Sequence, residues 1–80
     1  MQRDQFLKSV KELFEITPDS ELNRKCKFKE LEEWDSLLAL EIIAKLDEEY
    51  DVELDGDDIR TANTLDDLFE LAKAKSGHGG

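Results

Sequence analysis

The stretch from Ser36 to Tyr50 constrains this chain more than any other. At about 100° per residue, Ala39, Ile42, Ile43, Leu46 and Tyr50 fall within one arc of roughly 100°. That spacing predicts an amphipathic helix starting at Ser36 or Leu37, with those five residues on its core side. Leu37, Glu41, Ala44 and Glu48 lie opposite, so a small apolar patch flanked by two acids is expected outside. The whole chain has 80 residues, which make one domain at most. A chain of that length buries only about 60% of its unfolded surface. There is room for one layer of helices around one core, and none for an enclosed catalytic cleft with a substrate domain.

The remaining segments read as helices and connections. Phe6, Leu7, Val10, Leu13 and Phe14 recur at spacings of three and four, which predicts a first helix from about Arg3 to Ile16. Thr17-Pro18-Asp19-Ser20 stops it, because proline cannot continue the hydrogen-bond ladder. Residues 18 to 35 are irregular, with a basic run at Arg24, Lys25, Lys27 and Lys29 and with Phe28 and Leu31 expected to turn inward. A connection this long carries function or a short helical turn. Asp51-Val52-Glu53-Leu54 alternates like a strand but has nothing nearby to pair with, so it reads as a loop anchored by Val52 and Leu54. Asp57 to Thr61 supports a short helical turn. Thr64 and Asp67 have capping-box spacing, and Leu65, Leu68, Phe69 and Leu71 give a last helix to about Lys75. The expectation is an all-α chain: one domain over residues 1–75, and a flexible tail over 76–80.

Charge narrows the range of functions. The formal net charge is -10. Phosphate-backbone binding needs a basic footprint, so nucleic acid is excluded, and an anionic membrane surface is disfavoured in the same way. Between Glu30 and Asp58 thirteen carboxylates face a single lysine, Lys45, a net of -12, which leaves +2 for the rest of the chain. A partner with a basic groove is the natural complement. The single cysteine, Cys26, cannot form an intrachain disulfide, which fits a reducing compartment. No apolar run reaches the length of a membrane span, and Met1-Gln2-Arg3-Asp4 lacks the apolar core of a secretory signal. A monomeric, soluble protein of the cytoplasm is the expectation.

At the mouth of the central helix stands Trp34-Asp35-Ser36-Leu37. Asp35 and Ser36 are both favoured N-cap residues, and a cap alone explains either one. A nucleophilic role for Ser36 needs an adjacent base and a group to orient it. The sole histidine is His78, in a glycine-rich tail, so a serine hydrolase is excluded. Ser36 therefore reads as a site acted on by another protein. Asp51, Glu53, Asp55 and Gly56 match the first half of a calcium loop, but its twelfth position, a bidentate glutamate in that motif, is Ala62. That leaves loose binding of divalent cations to clustered carboxylates. Trp34 reads as a packing residue at the helix entry. Cys26, among Arg24, Lys25 and Lys27, is a candidate for a depressed pKa.

Asp35-Ser36-Leu37, followed by Leu40-Glu41, Leu46-Asp47-Glu48-Glu49-Tyr50, Val52-Glu53-Leu54 and Thr64-Leu65, resembles the acyl carrier proteins, most strongly from Trp34 to Leu71. The resemblance implies a four-helix bundle with a short third helix and a long loop between helices 1 and 2. It implies that Ser36 receives a 4′-phosphopantetheine arm from coenzyme A. A magnesium-dependent phosphopantetheinyl transferase does that chemistry, so the chain itself is not an enzyme. Asp35 matches the acid that helps bind the transferase and its metal. Glu41, Asp47 and Glu48 match docking acids, and Leu37 and Ala44 match apolar docking spots, for enzymes with basic surfaces that load and process acyl thioesters. A slot lined by some of Phe28, Leu46, Leu54, Ile59, Ala62 and Leu68 would take the cargo. Glu33-Trp34, Leu38 and Lys45 depart from many fatty-acid carriers. They point towards a specialised carrier for polyketide, peptide or surface-polymer chemistry beside the fatty-acid role. The competing class is a small acidic protein-interaction or divalent-cation-binding module.

Overall fold

The computed structural model describes residues 2–76. Four α-helices are joined by irregular segments: α1 (Arg3–Lys11), α2 (Ser36–Tyr50), α3 (Gly56–Thr61) and α4 (Leu65–Ser76). Two 3-10 turns, Asp19–Glu21 and Phe28–Glu30, interrupt the long connection between α1 and α2. No strand occurs among the described residues. This is the all-helical bundle with a short third helix that the sequence led us to expect. The tail expected over 76–80 lies outside the described residues, apart from Ser76 at the end of α4.

One core serves all four helices, and α1 packs on both α2 and α4, while α3 packs on α4. Phe6 and Val10 from α1, Leu38, Ile42 and Leu46 from α2, and Leu65, Leu68 and Ala72 from α4 are buried together. Phe6 meets Phe69 edge to face at 5.4 Å, and Arg3 lies 4.7 Å above the Phe69 ring while its Nε donates to Asp66 at 2.7 Å. Ser9 and Tyr50 share a hydrogen bond of 3.1 Å that ties α1 to the last turn of α2.

The long connection is part of the core. Leu22 and Phe28 are both fully buried. Removing a buried phenylalanine costs roughly 3–5 kcal/mol, against a total stability of only ~0.05–0.15 kcal/mol per residue. The loop's backbone also feeds α4: the amides of Leu65 and Asp66 donate to the carbonyls of Cys26 and Arg24 at 3.0 and 2.8 Å. These bonds satisfy amides that a helix start leaves without partners. The expected capping box is present, with Asp67 N–H donating to Thr64 Oγ1 at 3.1 Å and Thr64 N–H to Asp67 Oδ2 at 3.1 Å.

Two elements differ from expectation. α1 ends at Lys11, about a turn and a half short of Ile16. The chain tightens there, with Leu13 N–H donating to Val10 O and Phe14 N–H to Lys11 O. The next three amides then leave the helical ladder for a side-chain acceptor. On α2 the buried side is turned towards Leu38, which is 5% exposed, so that Ala39, Ile43 and Tyr50 are only half-buried. The same turn lifts Leu40 out to 62% exposure.

Asp51 ends α2 in the left-handed region, at φ 56°. Its N–H donates to Asp47 O, and the chain then turns so that Val52 drops into the core. A β-carbon in that region costs about 1 kcal/mol, and glycine avoids the cost. Asp51→Gly should therefore raise the melting temperature by a few degrees, and Asp51→Val should lower it by more. Thermal unfolding followed by circular dichroism measures both, and a lower melting temperature for the glycine variant would refute the account of strain.

Candidate functional site

The start of α2 is built by Asp35. Its backbone is extended, and its Oδ1 accepts the N–H of Leu38 at 2.8 Å. Asp35 is thus the N-cap, one of the two assignments the sequence left open. Ser36 is then the first helical residue, and it is exposed. No protein group among the described residues bonds its hydroxyl. The four helical positions expected to face outward do so: Leu37, Glu41, Ala44 and Glu48 are all exposed, with Leu37 at 63%. Asp47 is exposed beside them. Leu40 joins this face, although the periodicity did not single it out.

Beside the serine is a shallow hollow of about 200 Å³, lined by Asp35, Leu37, Leu38 and Glu41 from the start of α2. Leu13, Glu15 and Glu33 close its other side. Sequence reasoning missed Leu13 and Glu15 as neighbours of the site, since nothing local to them signals a contact across some twenty residues of chain.

Glu33 explains how they come together. Its carboxylate accepts the amides of Glu15 (2.6 Å), Ile16 (3.2 Å) and Thr17 (2.9 Å), and the Thr17 hydroxyl at 2.9 Å. Partial desolvation of Glu33 works against its charged form. The bonds from Thr17, Glu15 and Ile16 outweigh it and hold the carboxyl below the usual glutamate range. A depressed carboxyl pKa adds stability that is complete above the unfolded-state value and disappears as pH falls through the folded-state value.

The residues that depart from the usual carrier pattern each have structural work. Leu38 is core. Trp34 packs edge to face on Phe28 at 5.1 Å, and Phe28 is its observed partner at the helix entry. Lys45 pairs with Glu12, at the C-terminal cap of α1, at 3.5 Å and with Glu49 at 3.7 Å. Glu33 is the clamp just described.

Cys26 corrects an expectation. Its thiol is pushed up from its ordinary value, first by burial and then by the negative charge of Glu21. The neighbouring cations Arg24, Lys25 and Lys27 are exposed, where solvent screens them. A raised pKa makes the thiol less reactive at neutral pH.

The half calcium loop is used otherwise. Asp55 caps α3, in a reciprocal capping box with Asp58. Asp51 is the left-handed end of α2, and Lys75 donates to the carbonyl of Glu53 at 3.3 Å. Among the described residues, no three His, Cys, Asp or Glu side chains come together in a way that could hold a metal ion. The six residues expected to line a cargo slot are all buried in the one core, at 6% exposure or less. No helix among the described residues is long and apolar enough to cross a membrane.

Comparison with protein families gives a match to the one described as "Phosphopantetheine attachment site", over residues 4–72. Comparisons with curated proteins and with solved structures gave no match.

Glu33→Gln removes the charge and leaves one accepting oxygen where two now take the amides of residues 15, 16 and 17. The expected result is a melting temperature lower by a few degrees near pH 7, with the deficit shrinking as pH falls towards about 3. A deficit that stays constant across an acid series, followed by thermal melts, would remove the electrostatic part of this account.

Proposed function

The chain belongs to the phosphopantetheine-attachment-site family of carrier proteins, and from that premise we propose that Ser36 is its attachment residue. The observation that carries the proposal is Ser36 itself, an exposed first residue of α2 whose cap is supplied by its neighbour. Family members carry a covalently attached 4′-phosphopantetheine and are not themselves catalytic. The residues at the start of α2 fit that group, because the hydroxyl is open and no enclosing wall has to move before a partner reaches it. When attached, the arm supplies a terminal thiol that holds cargo as a thioester.

The chain's own part is to present and to dock. Asp35 fixes the helix start and so the direction of the Ser36 side chain, and it adds negative charge beside the hydroxyl, where a transferase brings its metal. Leu37, Leu40 and Ala44 offer apolar contact on the outward face of α2, and Glu41, Asp47 and Glu48 surround them with charge. Apolar contacts at the centre of such a face hold a partner, and the surrounding charge speeds the encounter. The partners are a phosphopantetheinyl transferase and enzymes with basic surfaces that load and process acyl groups in fatty-acid or specialised biosynthesis. The four departures from the fatty-acid pattern serve packing and pairing, so they favour neither kind of pathway.

Two measurements test this. Incubation with coenzyme A and a broad-specificity transferase should add one phosphopantetheinyl increment to the intact mass, and Ser36→Ala should abolish it with helicity unchanged. Addition at Ser9, Ser20 or Ser76 instead would end the assignment. Reversing Glu41 and Glu48 to lysine should slow modification on the order of ten- to a hundredfold, and salt should affect the remaining rate less. The same reversal at Asp4 and Glu70, on exposed positions of α1 and α4, should do far less. Equal slowing by both pairs would mean that only the net charge counts.

A further inference from the structure

Ile16 is 82% exposed, more than either Leu37 or Leu40. A single exposed apolar side chain is ordinary on a protein surface. Ile16 differs because its backbone is held: the amides of residues 15, 16 and 17 all donate to the Glu33 carboxylate. The Glu33 carboxylate thus holds the backbone of an isoleucine whose side chain stands in solvent.

Its surroundings are specific as well. Ile16 lines a hollow of about 340 Å³ with Pro18 and Leu31, and Glu21, Glu30 and Glu32 edge it with negative charge. Glu33 belongs both to this hollow and to the smaller one beside Asp35 and Leu37. The two depressions are therefore neighbours that share one side chain. Ile16 and Leu37 stand on either side of it as two apolar points in an acidic field.

We infer that the Ile16 turn is a second docking point for the transferase that modifies Ser36, engaged together with the α2 face by a basic surface bearing an apolar side chain. This rests on the proposed attachment at Ser36. An enzyme that reaches the Ser36 hydroxyl has to come down over the N-terminal end of α2, and that end is flanked by the hollow that Glu33 and Glu15 share with Asp35. Ile16 is the next residue along the chain. Acidic edging rejects an acidic or purely apolar partner and accepts a basic one, so both sides of the surface select the same chemistry. Glu33 acts as a positioning residue, since it sets the distance between the turn and the segment that enters α2.

The test is the rate at which a broad-specificity transferase modifies Ile16→Ser, followed by intact mass in the full chain. Its kcat/KM should fall about tenfold, chiefly through KM, with melting temperature and helicity unchanged. Ile16→Leu should recover most of the loss. A methyl NMR titration of Ser36→Ala with the same transferase reads the surface without altering the turn. The methyls of Ile16 and Leu37 should both shift or broaden, and that of Ala74 on α4 should not. An unchanged KM for Ile16→Ser, or an Ile16 methyl that stays still while Leu37 moves, overturns the second docking point and leaves Ser36 as the attachment residue. If wild-type protein takes up no phosphopantetheine, the attachment reading fails and this inference fails with it. If Ile16→Ser loses helicity, the methyl titration alone decides.

Discussion

Three consecutive amides in the turn after α1, those of residues 15, 16 and 17, share one acceptor, the carboxylate of Glu33. The amides of Glu15 and Ile16 are exposed and could bond water instead, so what the carboxylate adds is a charge-assisted tie between two distant segments. The acceptor chosen here comes from the residue two before the N-cap of α2. It fixes the end of one helix relative to the start of the next, across a connection with little regular structure. Trp34 then packs on Phe28, Asp35 caps α2, and Ser36 follows in a defined place. The exposed turn at Ile16 and the exposed serine are held by the same group.

A second constraint is electrostatic. The segment from Glu30 to Asp58 carries most of the negative charge, and several cations beside it are spent internally. Lys29 donates to the carbonyls of Ile59 and Arg60 at the end of α3, at 3.0 and 2.6 Å. Lys75 binds Asp58 at 2.6 Å, and that bond, with the Asp55 amide, holds the Asp58 carboxyl below its ordinary range. Lys45 turns to Glu12 and Glu49. Lys29 and Lys75 steady a helix whose own packing is thin: α3 buries only Ile59. Among the described residues, no cation pairs with Glu41, Asp47 or Glu48 on the outward face of α2. Internal pairing and an acidic exterior are two results of the same placement.

Periodicity disclosed what depends on local sequence. The bounds of α2, the inward turn of Val52 and Leu54, and the capping box at Thr64 and Asp67 all follow from neighbours within four residues, and all were legible. The outward set Leu37, Glu41, Ala44 and Glu48 was legible for the same reason. The rotation of α2 was not, because Leu38 and Leu40 flank the predicted arc on opposite sides and only packing against the shared core decides which is buried. The early end of α1 was equally hidden. Its apolar spacing continues through Leu13 and Phe14, and Phe14 is indeed buried, but Glu33 competes for the backbone from 16 to 18 residues away. The thiol of Cys26 failed for a related reason: three adjacent cations suggested activation, while burial and Glu21, which cannot be read from spacing, act the other way.

The division of labour between Asp35 and Ser36 shows why the order of these two residues matters. Either one can cap a helix. Had the serine been the cap, its oxygen would accept a backbone amide, and its lone pairs and rotamer would be committed to the fold. With the aspartate as cap, the amide of Leu38 is satisfied by a carboxylate, a stronger acceptor beside the positive end of the helix. The serine, one residue on, has no structural duty for its hydroxyl. On the proposed reading this separates stability from chemistry. The residue to be modified can change its substituent without loosening the helix that presents it, and the helix can be tuned by its cap without touching the modified atom. A carrier that docks on several partners in turn needs that independence, because the docking face on α2 must stay the same whatever Ser36 holds.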